Sequence, residues 1–306
     1  MKRFALLLAT SLFLIALSGA NSHAAGPLKI GVTLHAYYSW VSEIVGETAI
    51  VEPIIPPGSD PHTYQPKPTD LAKLKEIDVL VRNGLGHDDY INPMLKAAGR
   101  EDMTVLDPHK GLPLIAVHEQ TYAFESGEKK VAYNSHTYIS ITGAIQQINT
   151  LADELGKLAP ANAALYKTNA RAYAKRLRRM QADALAKINR LDPARLRIAT
   201  VHDGYAYLMQ ELGLKIDAVI QPRHGIEPSP RQLQDTIKRI KQADVQVLFS
   251  EMDYQKKYVD IIFQETGCRI YTLTHISNGP YVKEKFEQDM QRNLDTIVKA
   301  LTDARG

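Results

Sequence analysis

Four histidines stand where a chain of alternating strands and helices would present ligands. His62 lies in Ser59-Asp60-Pro61-His62-Thr63-Tyr64, a turn-rich loop after the second strand-like run. His136 lies in Asn134-Ser135-His136-Thr137-Tyr138, between an irregular stretch and a helical one. His202 follows a strand-like run in Thr200-Val201-His202-Asp203-Gly204-Tyr205, and His275 does the same in Leu273-Thr274-His275-Ile276. Neutral imidazole is a borderline ligand that suits zinc and its late first-row neighbours. Three or four such rings converging would make a near-tetrahedral site. Spacing alone does not force that reading, because no H-E-x-x-H, H-x-x-E-H or C-x-x-C pair ties two ligands together. A lone histidine at a strand end is more often not a ligand.

The elements that must position these rings follow from periodicity. Residues 28–34, 49–55, 78–82 and the neighbourhood of Thr104 read as strands. Residues 36–45, 69–76 and 90–98 read as helices, with Thr69 as the cap of the second. The alternation predicts a mostly parallel sheet covered by helices. Residues 109–134 lack periodicity and read as an exposed loop or a β-excursion. Beyond residue 193 the design recurs: strands at 197–201, 216–221, 245–250 and 269–273, helices at 205–212, 230–242, 255–266 and 281–302. In open sheets of this kind ligands gather at the carboxyl ends of the strands.

Between the two halves runs one long amphipathic stretch, 160–192. Tyr166, Ala170, Tyr173, Leu177, Met180, Ala184, Ile188 and Leu191 recur every three or four residues, opposite Lys167, Arg171, Lys175, Arg178 and Lys187. Pro160 suits a first helical turn, and Pro193 pushes Asp192 out of the helical region. The expected layout is α/β: a leader at 1–24, an N-terminal lobe at 25–159, a linking helix at 160–192 and a C-terminal lobe at 193–306. A coiled-coil seam is the alternative use of the stripe, but it covers too few heptads, so a monomer is expected.

The length of 306 residues accommodates two lobes, and 44% hydrophobic content is ordinary for a globular chain. A formal net charge of +3 with no long basic run gives no support to nucleic-acid binding. Lys2 and Arg3 precede an apolar run at 4–17, and Ser22-His23-Ala24 offers a small-x-small cleavage site, the pattern of a secretory signal peptide. The single cysteine, Cys268, is far from that site, so no lipid attachment and no internal disulfide are expected, and a periplasmic address follows. Cys268, flanked by apolar residues, reads as a buried small hydrophobe.

Longer motifs resemble a known family. Gly58-Ser59-Asp60-Pro61-His62-Thr63-Tyr64-Gln65-Pro66-Lys67-Pro68-Thr69-Asp70 is similar to the first-ligand loop of the zinc/manganese substrate-binding proteins of ABC transporters, the ZnuA-like, cluster A-I family. Residues 78–86 match as well. His202-Asp203-Gly204-Tyr205-Ala206-Tyr207-Leu208 resembles that family's H-D-A-F-x-Y segment; Glu227-Pro228-Ser229-Pro230, Phe249-Ser250-Glu251 and the start of the long helix also correspond. The resemblance implies two Rossmann-like lobes joined by a rigid helix, with an ion between them held first by His62 and His136 and then by His202. Histidine at this third place implies zinc over manganese, whose harder character favours oxygen donors. Two departures stand out. Relatives usually carry aspartate then proline after the last strand, where this chain has His275-Ile276, so a fourth imidazole takes the carboxylate's place. Many relatives read Asp-Pro-His where this chain reads Asn134-Ser135-His136. Asp60, Asp203 or Glu251 would then offset the ion's charge from outside the ligand set.

Among the remaining histidines, His35 ends the first strand and could line the cleft. His87 reads as part of a solvated loop, His109 and His118 fall in the irregular stretch, and His224 in an exposed loop. Tyr64, Tyr138, Tyr205 and Tyr207 flank the proposed ligands and would wall the site. The function this implies is capture of Zn2+ as transported substrate and delivery to an ABC permease, by binding and not catalysis. Because imidazoles ligate only when deprotonated, affinity should fall toward their free pKa of about 6.5. Carriage of manganese, nickel or copper is an alternative. So is a zinc hydrolase with Glu251 or Asp203 as base, which would need three ligands and an open water position.

Overall fold

A computed structural model describes residues 26–59, 61, 64–117, 133–191, 196–220, 229–251 and 256–304. Residues 1–25, Asp60, His62, Thr63 and residues 118–132, 192–195, 221–228, 252–255 and 305–306 lie outside them. The first half contains β1 (Leu28–Val32), α1 (His35–Val45), β2 (Ala49–Pro53), α2 (Pro68–Glu76), β3 (Val79–Val81), α3 (Ile91–Ala98), β4 (Thr104–Leu106) and α4 (Ile141–Leu158). A short 3-10 turn at Pro160–Asn162 leads into α5 (Ala163–Ile188), and another at Asn189–Leu191 ends the run. The second half contains β5 (Ile198–Thr200), α6 (Ala206–Glu211), β6 (Ile216–Val219), α7 (Pro230–Gln242), β7 (Val247–Glu251), α8 (Lys256–Thr266), β8 (Arg269–Leu273) and α9 (Lys285–Asp303).

Among the described residues the strands form two four-stranded sheets, ordered β2-β1-β3-β4 and β6-β5-β7-β8, the same order in each half. All pairings are parallel. Two-sided burial in a parallel sheet explains the near-continuous apolar runs of the inner strands β3, β5 and β7. In β3, Val79 and Val81 enter one apolar cluster and Leu80 another on the opposite face. In β7, Val247 and Phe249 face the same shared cluster while Leu248 turns outward to Ile240, Ile262 and Cys268. The reading of Cys268 as a small buried hydrophobe holds, with 2% exposure, and burial pushes its thiol pKa up.

The shared cluster is built on the central helix. Tyr166, Ala170, Tyr173, Ala174, Leu177, Ala184 and Ile188 of α5 are buried, while Lys167, Arg171, Lys175, Arg178 and Lys187 are exposed. α5 packs against α4, α1 and α9, so it touches both halves. At about 1.5 Å per residue its 26 residues span roughly 39 Å. Arg176 reaches Glu43 of α1 at 3.0 Å and Glu287 of α9 at 3.2 Å. Asn169 Nδ2 donates to the Ile44 carbonyl at 3.0 Å. The start of α2 differs from the expected Thr69 cap. The cap position of α2 is Lys67, with Pro68 in the first turn, and the side chain that closes the turn is Asp70, which accepts from the Lys67 N–H at 2.7 Å. Thr69 is already inside the helix.

Candidate metal centre

His136 arrives at the site between an isolated antiparallel bridge, Ala116 with Tyr133, and the start of α4. It is 2% exposed. The side chain of Asn134 fixes it. Asn134 Oδ1 accepts from the His136 backbone N–H at 2.9 Å and faces His136 Nδ1 at 3.0 Å. The amide is oriented because its Nδ2 donates to the Asp203 carbonyl at 2.8 Å. A carbonyl oxygen only accepts, so Nδ1 of His136 carries the proton and Nε2 holds the lone pair. That is the tautomer a ligand needs.

His202 follows β5 and is equally buried. Its Nε2 lies 3.2 Å from His136 Nε2, with the rings edge to face at 4.7 Å between centroids. Two nitrogens bound to one tetrahedral zinc at 2.0–2.1 Å stand about 3.3 Å apart. The facing pair therefore already has the separation of two ligands on one ion. With the lone pair on His136 Nε2, His202 Nε2 is the donor of this pair, and an ion bound between them would displace that proton. On the far side of the His202 ring, Nδ1 lies 3.4 Å from Asp203 Oδ1. Burial first, and the Glu251 carboxylate with it, push Asp203 up to about 6 despite the pull of His275.

His275 follows β8. Its ring lies 5.0 Å from that of His136 and 5.1 Å from that of His202, nearly parallel to the latter. Glu251, the last residue of β7, brings Oε1 within 3.0 Å of His275 Nε2. One ring nitrogen from each of His136, His202 and His275 lies within 4.8 Å of the other two. The carboxyl ends of β5, β7 and β8 supply His202, Glu251 and His275, as the rule for parallel sheets requires.

The backbone beside His275 is held tightly. Asn293 of α9 accepts from the Thr274 N–H at 2.8 Å and donates to the Thr274 carbonyl at 2.9 Å. Ile276, buried and β-branched, sits at φ +59°, a left-handed conformation that such residues adopt only under constraint. A second brace joins the halves. Glu211 of α6 accepts from Ser140 Oγ and from the N–H groups of Ile141 and Thr142 at 2.8–3.0 Å, closing the first turn of α4 from across the cleft. Tyr207 OH donates to the Asn134 carbonyl at 2.8 Å and accepts from the Ile115 N–H.

His136, His202 and His275 are thus brought together, and His62 lies outside the described residues, as do Asp60, His118 and His224. His87 is not in a solvated loop. It is 2% exposed, its Nε2 lies 3.2 Å from Tyr138 OH, and its ring is edge-on to His136 at 5.3 Å. Its neighbour Asp88 is buried too, accepting from Thr33 Oγ1 and the N–H groups of Asn83 and Gly84. His35 is apart from the trio, stacked on Tyr281 at 3.8 Å and bonded through Nε2 to the Gly279 carbonyl. His109 is half-buried beside Gly84, and burial lowers its pKa. Of the tyrosines, Tyr138 and Tyr205 wall the site, Tyr205 edge-on to His275 at 5.2 Å; Tyr64 instead bonds Asp70. Sequence reasoning missed Asn293 and the orienting role of Asn134. Only Asn134 left a signal, as a departure from the family pattern.

The chain matches the model of the family described as zinc-uptake complex component A, periplasmic (ZnuA), over residues 30–300. It belongs to that family. Among solved structures it is similar to the substrate-binding protein FpvC of Pseudomonas aeruginosa, determined with Ni2+ (48% identity, TM-score 0.83, covering 90% of this chain and 97% of FpvC). FpvC has also been determined with Mn2+ (47% identity, TM-score 0.82, covering 90% of this chain and 99% of FpvC). A putative metal-binding protein of Treponema pallidum (strain Nichols) is 25% identical over 283 residues, 89% of this chain and 87% of that protein. The zinc-binding protein AdcA of Streptococcus pyogenes serotype M3 is 22% identical across 92% of this chain, which spans only 58% of AdcA. As a family member the chain is a metal-binding substrate-binding protein with two parallel-sheet lobes and a long central helix. Among the described residues no helix is long and apolar enough to cross a membrane.

Proposed function

We propose that this chain captures Zn2+ outside the cytoplasm and delivers it to the membrane permease of an ABC importer. The observation that carries the reading is the trio of buried imidazoles, with His136 and His202 facing each other through Nε2 at 3.2 Å. Neutral nitrogen donors at that separation suit a borderline divalent ion. His62, from its loop, is the proposed fourth ligand. Asp203 and Glu251 lie against the rings and offset part of the ion's charge from outside the ligand set. Glu251 is engaged with His275 and Asp203 with His202, which favours orienting roles over those of a hydrolytic base. The proposed lobes are 25–159 and 193–306, joined by 160–192, in a monomer exported by the leader at 1–24 to the periplasm.

A second reading, carriage of Ni2+ or Mn2+, is favoured by one observation: FpvC, at 48% and 47% identity, was determined with those two ions. Metal analysis of protein purified without chelator, then pairwise competition among Zn2+, Ni2+ and Mn2+, separates the two. The zinc reading expects one equivalent of Zn2+ that excess Mn2+ does not displace. Displacement by equimolar Mn2+ or Ni2+ overturns it.

A further inference from the structure

A side chain is missing where the histidines meet. Gly204 lies in the 3-10 turn Asp203–Tyr205, directly after His202. It is not among the glycines with positive φ, so no torsion there calls for glycine. What calls for it is space. A Cβ on Gly204 would stand 2.8 Å from His275 Nε2, 2.9 Å from its Cε1 and 3.1 Å from His202 Cδ2. Carbon atoms in good contact are about 3.5–4.0 Å apart. Ring and methyl cannot both occupy the place.

Nor is the His275 ring free to swing away. It lies against His202 on one face, Tyr205 meets it edge-on, and Glu251 stands at its Nε2. Asn293 grips the residue before it, and the residue after it is fixed at φ +59°. The slot is imidazole-shaped, and bare backbone forms one wall.

We propose that Gly204 is the specificity-determining residue of this site: by leaving out a side chain it seats an imidazole at position 275, and so sets a nitrogen donor face that prefers borderline cations of the Zn2+ class over hard ones such as Mn2+. The inference rests on the reading of His136, His202 and His275 as ligands. A carboxylate at 275 would be shorter, would not need the slot, and would present a hard oxygen. Room at 204 and donor chemistry at 275 are therefore coupled.

The test is a cycle of four proteins: the parent, Gly204→Ala, His275→Asp and the double variant. Zn2+ and Mn2+ dissociation constants are measured by competition with a chromophoric chelator. In the parent, Gly204→Ala should weaken Zn2+ binding roughly 10- to 100-fold, as loss of ligand orientation does. In the His275→Asp background the same change should cost less than about 2-fold, the limit of additivity for uncoupled sites. The preference for Zn2+ over Mn2+ should fall in both His275→Asp proteins. No loss in the parent, or equal loss in both backgrounds, overturns the proposal. Should Gly204→Ala fail to fold, its metal-free Tm is read in a His275→Ala background: recovery to that of His275→Ala alone upholds the clash, and continued loss overturns it. His275→Ala also separates the two levels. If it leaves Zn2+ affinity unchanged, the ligand reading of His275 fails and this inference with it. If it weakens binding while Gly204→Ala behaves additively, only this inference fails.

Discussion

Asn134 orients His136 with a neutral amide, a task more often given to a carboxylate or a backbone carbonyl. Its two ends do different work: the oxygen selects the His136 tautomer and the nitrogen ties the loop to Asp203 across the cleft. Asn134→Ala should therefore weaken Zn2+ binding by roughly 10- to 100-fold. The check is a chelator competition run beside a metal-free melt, in which the loss of affinity should exceed what the shift in Tm accounts for. His35 makes a different prediction. Burial lowers its pKa from 6.5 to about 4. The folded state thus favours the neutral ring, and the unfolded chain takes up the proton first as pH falls. The stability this group contributes is present above about pH 6.5 and is lost between there and about pH 4, up to roughly 3 kcal/mol. The urea midpoint of the metal-free protein should drop between pH 7 and pH 4.5, and by less in His35→Gln. Equal drops would remove His35 as the cause.

The elements behave as amphipathic units whose buried stripe matters more than their exposed charge. Leu177, fully buried on α5, should cost about 2–5 kcal/mol when cut to alanine. Tyr173, four residues earlier, is a contrasting case. Its ring is buried, but its hydroxyl has no hydrogen-bond partner among the described residues. Tyr173→Phe should be neutral or stabilising by up to about 1 kcal/mol, since it removes a buried polar atom and little packing. Equilibrium urea unfolding distinguishes the pair. These elements were the most legible part of the sequence. The stripe from Tyr166 to Leu191 announced α5, and β8 spans the same five residues that its pattern marked. The cap of α2 was misassigned because Thr69 is a better cap by type, whereas Pro68 and the reach of the Asp70 carboxylate start the helix earlier. His87 was misread because Asp88 and Asp89 beside it look solvated; Asp88 is instead a buried acceptor for a turn made by Gly84 and Gly86 at positive φ. Of the proposed site, residue type and place singled out His136, His202 and His275, which the fold brings together. Gly204 showed only as glycine where the family's H-D-A-F-x-Y segment has alanine, and Asn293 not at all, because their meaning is a distance to a residue some 70 or 20 positions away.

At the scale of the molecule, α5 lies along both halves and Arg176 pins it to α1 and α9. Near the site, Glu211, Asn134 and Tyr207 brace the same junction. A hinge-closing binder shrinks when it takes its ligand; this one should not. Small-angle scattering should return the same radius of gyration before and after addition of Zn2+, and a clear contraction would show that the braces give way. The apolar cluster that contains Trp40, Leu177, Phe249 and Phe286 draws on both sheets at once. Each half keeps an apolar cluster of its own on the outer face of its sheet, but the inner face is completed only by the shared one, so either half expressed alone should expose that face and fold poorly. Heating should therefore melt the whole chain in one endotherm, and a protease that nicks a surface loop should leave the pieces associated until the entire body comes apart.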